Sequence, residues 1–180
     1  MPDSTTSFST IYDSFLDRVT SDMYMELTEQ DTYKQLQGLL VNSIPRFEFP
    51  KFDLFNYELG ELVEVPSEIE GEEPSTEWVG GFFNTKLNQE EINILSLNMV
   101  IEWLGQQLAT TENTKLKYSG TDFKFTSQAN HMAKLKVMID AYQKDSLHLQ
   151  RLYSRRIRTE DGMRSAMSKL MTTPDYGYKI

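Results

Sequence analysis

Seven positions near the end of the chain, Met132, Leu135, Ile139, Tyr142, Ser146, Leu149 and Tyr153, recur at spacings of 3, 4, 3, 4, 3 and 4 residues. Six are apolar or aromatic and the fifth in order is a serine. This is a heptad seam, the pattern of a long helix that keeps one face against a neighbouring helix over many turns. Ser127 is placed to cap its start, and Arg151, Arg155, Arg156 and Arg158 mark its end. Such a face cannot stay bare in water. It predicts an antiparallel partner within the chain or a contact with another subunit.

Partners are available upstream. Ser7 or Ser9 can cap a helix carrying Phe8, Ile11, Tyr12, Phe15, Leu16 and Val19, one apolar stripe at helical spacing. Thr28 precedes a second, with Asp31 in the place of the usual capping-box glutamate and Tyr33, Leu36, Leu39, Leu40 and Ile44 as its stripe. Pro45 ends it, because the residue before a proline is pushed out of the α region. The first 45 residues therefore predict a helical hairpin. Asn88 stands three residues before Glu91 and ahead of Ile92, Leu95, Met99, Val100, Trp103, Leu104 and Leu108, which predicts a capped helix over about 89–108.

Residues 46–85 break the helical pattern. Phe47, Phe49, Phe52, Leu54, Phe55, Tyr57 and Leu59 partly alternate with polar residues between prolines, as extended or edge strands do. Residues 58–77 then hold eight Glu and no Lys or Arg, and Pro66, Gly71, Pro74 and Ser75 make that stretch a loop by composition. Trp78, Phe82 and Phe83 flank the pair Gly80-Gly81, readable as a strand or as a loop that docks aromatics. A hairpin-like insertion is the preferred reading.

The net charge of −9 argues against general polyanion binding, which is driven by cations neutralising phosphates. The charge is unevenly spread. From residue 134 onward ten Lys/Arg face five Asp/Glu, a net +5, which leaves −14 for residues 1–133. The apolar fraction of 39% lies below the roughly 45–50% of typical soluble domains, so part of the chain is not core. There is no cysteine, which excludes disulfides, thiolate metal sites and a cysteine nucleophile and suits assembly in a reducing cytoplasm. No stretch is long and apolar enough to span a membrane, and the polar N-terminus lacks the marks of a signal peptide.

The catalytic inventory is short. No nucleotide-binding glycine loop, zinc-protease motif, EF-hand or nucleophile elbow is present. His131 and His148 are seventeen residues apart on one predicted helix, about 25 Å along its axis, and cannot share a metal within one chain. The glutamates sit mainly in a Pro/Gly loop, where a rigid carboxylate pair for hydrolysis is not expected. Glu68, Glu70, Glu72 and Glu73 could hold a divalent cation only loosely. No cofactor and no enzymatic activity are expected.

Two basic or aromatic features remain. Arg151, Arg155 and Arg158 fall at i, i+4 and i+7, along one helix side with Arg156 beside them. They can serve as cations at a helix C-terminus, as a partner-docking patch or as a nucleic-acid contact. Residues 159–180 read as a flexible tail, with one amphipathic turn through Met163, Met167, Leu170 and Met171. It closes on Tyr176, Tyr178 and Ile180, and tyrosines on a flexible strap suit a docking peptide.

The stretch from Glu112 through Tyr118-Ser119-Gly120-Thr121-Asp122-Phe123-Lys124-Phe125 to His131, with the basic helix through Arg151-Leu152-Tyr153-Ser154-Arg155-Arg156, resembles the neck proteins of tailed bacteriophages. So do Glu91-Ile92-Asn93-Ile94-Leu95, Ile101-Glu102-Trp103-Leu104 and the opening Ile11-Tyr12-Asp13-Ser14-Phe15-Leu16. The resemblance implies a head–tail connector, or adaptor. Such a protein is a homo-oligomeric ring, usually twelve-fold, under the portal protein, joined below by the tail or a second neck ring, with packaged DNA passing through without specific binding. It places the chain in the virion neck, assembled in the host cytoplasm. The segment 46–85 departs from simple members of that family.

The expected architecture is mainly α. An antiparallel helical bundle with a long C-terminal helix would occupy residues 1–158, with a small β or extended insertion at 46–85, and residues 159–180 would be a C-terminal docking tail. Portal or inter-subunit contacts are expected at Arg151, Arg155, Arg156, Arg158, Tyr176, Tyr178 and Ile180. Loop docking is expected at Trp78, Phe82 and Phe83, and a channel-facing acidic loop at Glu68, Glu70, Glu72 and Glu73. A tail-completion or terminator protein is the near alternative, and a monomeric regulatory protein-binding module the distant one.

Overall fold

A computed structural model describes residues 5–19, 27–65, 75–117, 125–159 and 162–165. They form a mainly helical protein with a small β insertion. Helix α1 spans Phe8–Leu16, α2 Glu29–Ser43, α3 Gln89–Lys117 and α4 Phe125–Arg155, with a 3-10 turn at Ile44–Arg46.

The helix starts follow from local chemistry. The Ser7 hydroxyl accepts from Ser9 N and caps α1. Thr28 Oγ1 accepts from Asp31 N at 3.2 Å and donates to the Asp31 carboxylate at 2.7 Å. At α3 the capping box is reciprocal: Asn88 Oδ1 accepts from Glu91 N at 2.9 Å, and Glu91 Oε2 accepts from Asn88 N at 2.8 Å. Apart from the Thr28–Asp31 side-chain bond, each satisfies a backbone amide at a helix start that lacks an internal partner.

Helix α3 is the hub. From Ile94 to Ile101 every side chain is buried, Ser96 and Asn98 included, as for a helix with neighbours on all sides. Helices α1, α2 and α4 all pack on it. The expected hairpin of α1 with α2 is thus replaced by two helices that each lie chiefly on α3. Leu36, Leu39 and Leu40 of α2 and Phe8, Ile11 and Phe15 of α1 join Leu95 and Met99 in one core. Against α4 the contacts step down one helix as they step up the other: Tyr153 meets Glu91, Ser146 meets Asn98 and Lys136 meets Glu112.

The insertion holds two small sheets. In one, β5 (Phe82–Phe83) lies between β1 (Thr6–Ser7) and β2 (Tyr57–Glu58), antiparallel to both. It closes the core with Phe83, which is wholly buried and meets Phe8 edge-on at 4.9 Å. In the other, β3 (Glu61–Val65) pairs with β4 (Ser75–Val79) as an antiparallel ribbon, with Leu62 opposite Trp78 and Val63 opposite Glu77. A last hairpin, β6 (Arg156–Thr159) with β7 (Gly162–Ser165), follows α4.

Candidate interaction site

The C-terminal half of α4 is held by a buried polar clasp. Tyr153, 3% exposed, donates its hydroxyl hydrogen to Glu91 Oε1 and accepts from Lys51 N at 3.2 Å. One turn earlier the Gln150 side-chain amide acts like a peptide group. It gives a bond to Arg46 O at 3.0 Å and takes one from Glu48 N at 2.8 Å. It also donates to Ser146 Oγ at 3.0 Å, and Ser146 donates to Asn98 Oδ1. Helix α4, the 46–51 segment and the N-terminal part of α3 are therefore tied through buried and part-buried bonds, and an unmade bond is costly where the group is buried. Arg46 pairs with Glu102 and Arg156 with Glu90 at its edges. Beside the clasp lies an open cleft of about 220 Å³, lined by Pro45, Arg46, Asn98, Gln143, Leu147 and Gln150 among others.

Opposite the seam, α4 is bare. Shifting the seam by two residues, about 200° around a helix, gives Lys134, Val137, Ala141, Lys144, His148, Arg151 and Arg155. All seven are exposed, and Val137 is 68% exposed. The stripe contains no acid, and none of its cations pairs with a described residue.

The ribbon β3–β4 is the acidic counterpart. Gln37 grips its base as Gln150 grips the 46–48 segment: Gly60 N donates to Gln37 Oε1 at 2.7 Å, and Gln37 Nε2 donates to Gly60 O at 3.2 Å. Gln30 Nε2 bonds Thr76 O and Oγ1, and Trp78 stacks on Tyr33 with ring centres 6.0 Å apart. One face of the ribbon thus lies on α2. Cross-strand partners share a face, so Glu61, Val63, Val65, Glu77 and Val79 present the other, and all five are exposed.

The expected contact residues separate. Arg151 and Arg155 share the exposed face of α4, whereas the helix ends at Arg155, so Arg156 and Arg158 leave as part of β6. The expected stripe through Arg158 is therefore cut short, and Arg156 turns to Glu90. Trp78 and Phe82 are half-buried and Phe83 lies in the core. Met163 lies in β7. Glu68, Glu70, Glu72, Glu73, Met167, Leu170, Met171, Tyr176, Tyr178 and Ile180 lie outside the described residues. Sequence reasoning missed both glutamine grips and the polar clasp. The only local signals were Ser146 in an apolar seam and Asn98 in an apolar run.

Among the described residues no group of three or more His, Asp or Glu is placed to hold a metal, and no helix is long and apolar enough to cross a membrane. No protein-family model, no curated protein and no solved structure matches the chain.

Proposed function

We propose that this protein is a non-enzymatic assembly component, a head–tail connector of a virion neck that works by self-association and by docking on a portal. The observation that carries the reading is a pair of exposed surfaces of opposite predominant sign on one chain: the basic stripe of α4 and the acidic ribbon β3–β4. A surface whose complement lies elsewhere on the same molecule makes head-to-tail contacts, and such contacts close into rings when the rotation allows. In this reading the four helices form an antiparallel bundle whose copies stand side by side in a ring, twelve-fold in the related connectors. Glu68, Glu70, Glu72 and Glu73 would face the channel so that packaged DNA slides past, and the tail with Tyr176, Tyr178 and Ile180 would reach the portal or the next ring.

The test is joining. Deleting residues 175–180 leaves a soluble chain that no longer connects filled heads to tails, measured by infectivity and by counting joined particles in electron micrographs. Unchanged joining refutes the docking role of the tail. Solution mass measured with and without portal separates the distant alternative, since a persistent monomer indifferent to portal is a regulator.

A further inference from the structure

Resting on that reading, we infer that the contact between neighbouring copies is the outer face of β3–β4 from one chain seated on residues 144–155 of α4 in the next. The ribbon face offers Glu61 and Glu77 among Val63, Val65 and Val79, with the valines 37–53% exposed. The helix offers Lys144, His148, Arg151 and Arg155, with Leu152 at 37% exposure along one side. The ribbon face is thus apolar and acidic, and the helix face is mainly basic, with the exposed Asp145 as the one acid among residues 144–155. No Lys or Arg occurs from residue 58 to 77.

The dimensions agree. Five residues of strand extend about 17 Å, and the eleven steps from residue 144 to 155 rise about 16 Å. Both elements are held from behind, the ribbon by Gln30, Gln37 and Tyr33 and the helix by the clasp. Neither surface must be ordered on contact, which removes part of the entropic cost of association. The strip is far smaller than the roughly 800 Å² per partner of a standard interface. A single pair of copies therefore associates weakly, and a closed ring, where every copy uses both surfaces, gains by multivalency.

The chain has no cysteine, so the contact can be trapped covalently even when weak. Full-length chains carrying Glu77→Cys and Arg151→Cys are mixed and treated with a short bis-maleimide, and the cross-linked pair is quantified on a denaturing gel. The expected yield is several-fold above that of Glu77→Cys mixed with Asn42→Cys, an exposed site on α2. Adding Arg155→Glu to the Arg151→Cys chain lowers the yield, by about two- to fivefold for one surface charge contact. Adding Glu61→Lys to its partner restores it. Circular dichroism shows whether each variant keeps its helices, and the restoring pair keeps the outcome interpretable. Equal yields at residues 151 and 42 overturn the contact. Duplex DNA retained by Lys144, Arg151 and Arg155 at physiological salt, with cross-linking at the control level, assigns the stripe to DNA and overturns it too. Cross-linking without head–tail joining keeps the contact and removes the connector role. Joining that survives loss of the cross-link does the reverse.

Discussion

Replacing Tyr153 with phenylalanine isolates the clasp from the packing around it. The ring stays, so its edge contact with Phe47 at 5.4 Å is kept and no cavity opens beyond one oxygen. Two bonds are lost. Glu91, 1% exposed, loses the hydroxyl on Oε1, a bond to a charged group worth about 1.5–3 kcal/mol. Lys51 N loses its acceptor, a neutral and partly solvated bond worth about 0.5–1.5 kcal/mol. Water can reach Lys51, so the expected loss is about 2–4 kcal/mol, or about 4–16 °C in Tm for a chain of this size. Urea unfolding at pH 7 reads it as a lower midpoint at unchanged slope. The double variant with Glu91→Ala destabilises by less than the sum of the single variants, since both single changes remove the Tyr153–Glu91 bond. A loss below about 0.5 kcal/mol at unchanged slope, the level of an ordinary surface substitution, would refute the claim that α4 is held by buried polar bonds.

Further outcomes follow from other parts of the fold. At Gly81 an added Cβ would meet Glu58 O at 2.6 Å and Phe8 Cδ2 at 2.7 Å, whereas at Gly80 it meets nothing within 4 Å. Gly81→Ala should cost about 1–3 kcal/mol and Gly80→Ala almost nothing, checked by thermal unfolding. Burial pushes the Tyr12 phenol well above its ordinary pKa of 10.0, and its hydroxyl has no hydrogen-bond partner among the described residues. The folded state keeps that proton at pH values where the unfolded chain releases it. Stability therefore holds below about pH 10 and falls above it by up to about 1.4 kcal/mol per pH unit. Tyr12→Phe removes this part of the alkaline loss, and the difference between the two unfolding curves from pH 8 to 11 measures it. Gln37→Ala frees Gly60 from two bonds, so amide exchange in β3–β4 should speed up while that of α3 is unchanged.

What was legible in the sequence is what neighbours in the chain decide. The caps at Thr28 and Asn88, the stop near Pro45 and the seam of α4 all rest on residues within a few positions of one another. The end of α3 was not legible, because the polar run after Leu108 reads as a loop. In the fold, Thr110 and Thr111 turn their hydroxyls back to the carbonyls of Gln106 and Gln107 at 2.9 and 2.8 Å, and the helix continues to Lys117. The burial of α3 on every side was half-visible in Ile94, Leu97 and Ile101, which lie off its main stripe. The grips of Gln37 and Gln150 left no local trace, since each meets backbone more than twenty residues away. A glutamine on a helix reads as solvent-facing until its partner is known. The basic stripe was half-legible: Arg151 and Arg155 were read as one face, but its extension through Lys144 to Lys134 needs the orientation that the seam supplies.

That orientation connects stability to the proposed role. A helix held only by apolar packing can slide or roll, because leucine and isoleucine contacts are non-directional. The clasp gives α4 directional bonds at Ser146, Gln150 and Tyr153, one every few residues along the side that faces α3 and the 46–51 segment. Those bonds fix the helix about its own axis, and so fix where the opposite side points. Lys144, His148, Arg151 and Arg155 are therefore presented as a set, at a direction defined by buried groups some two residues away in sequence and on the far side of the helix. In a ring, a small error in that direction is repeated at every subunit and accumulates around the circumference. Polar bonds in the interior contribute more here through direction than through net stability, and loss of the clasp should spread the cross-links formed from residue 151 over more than one site on the neighbouring chain.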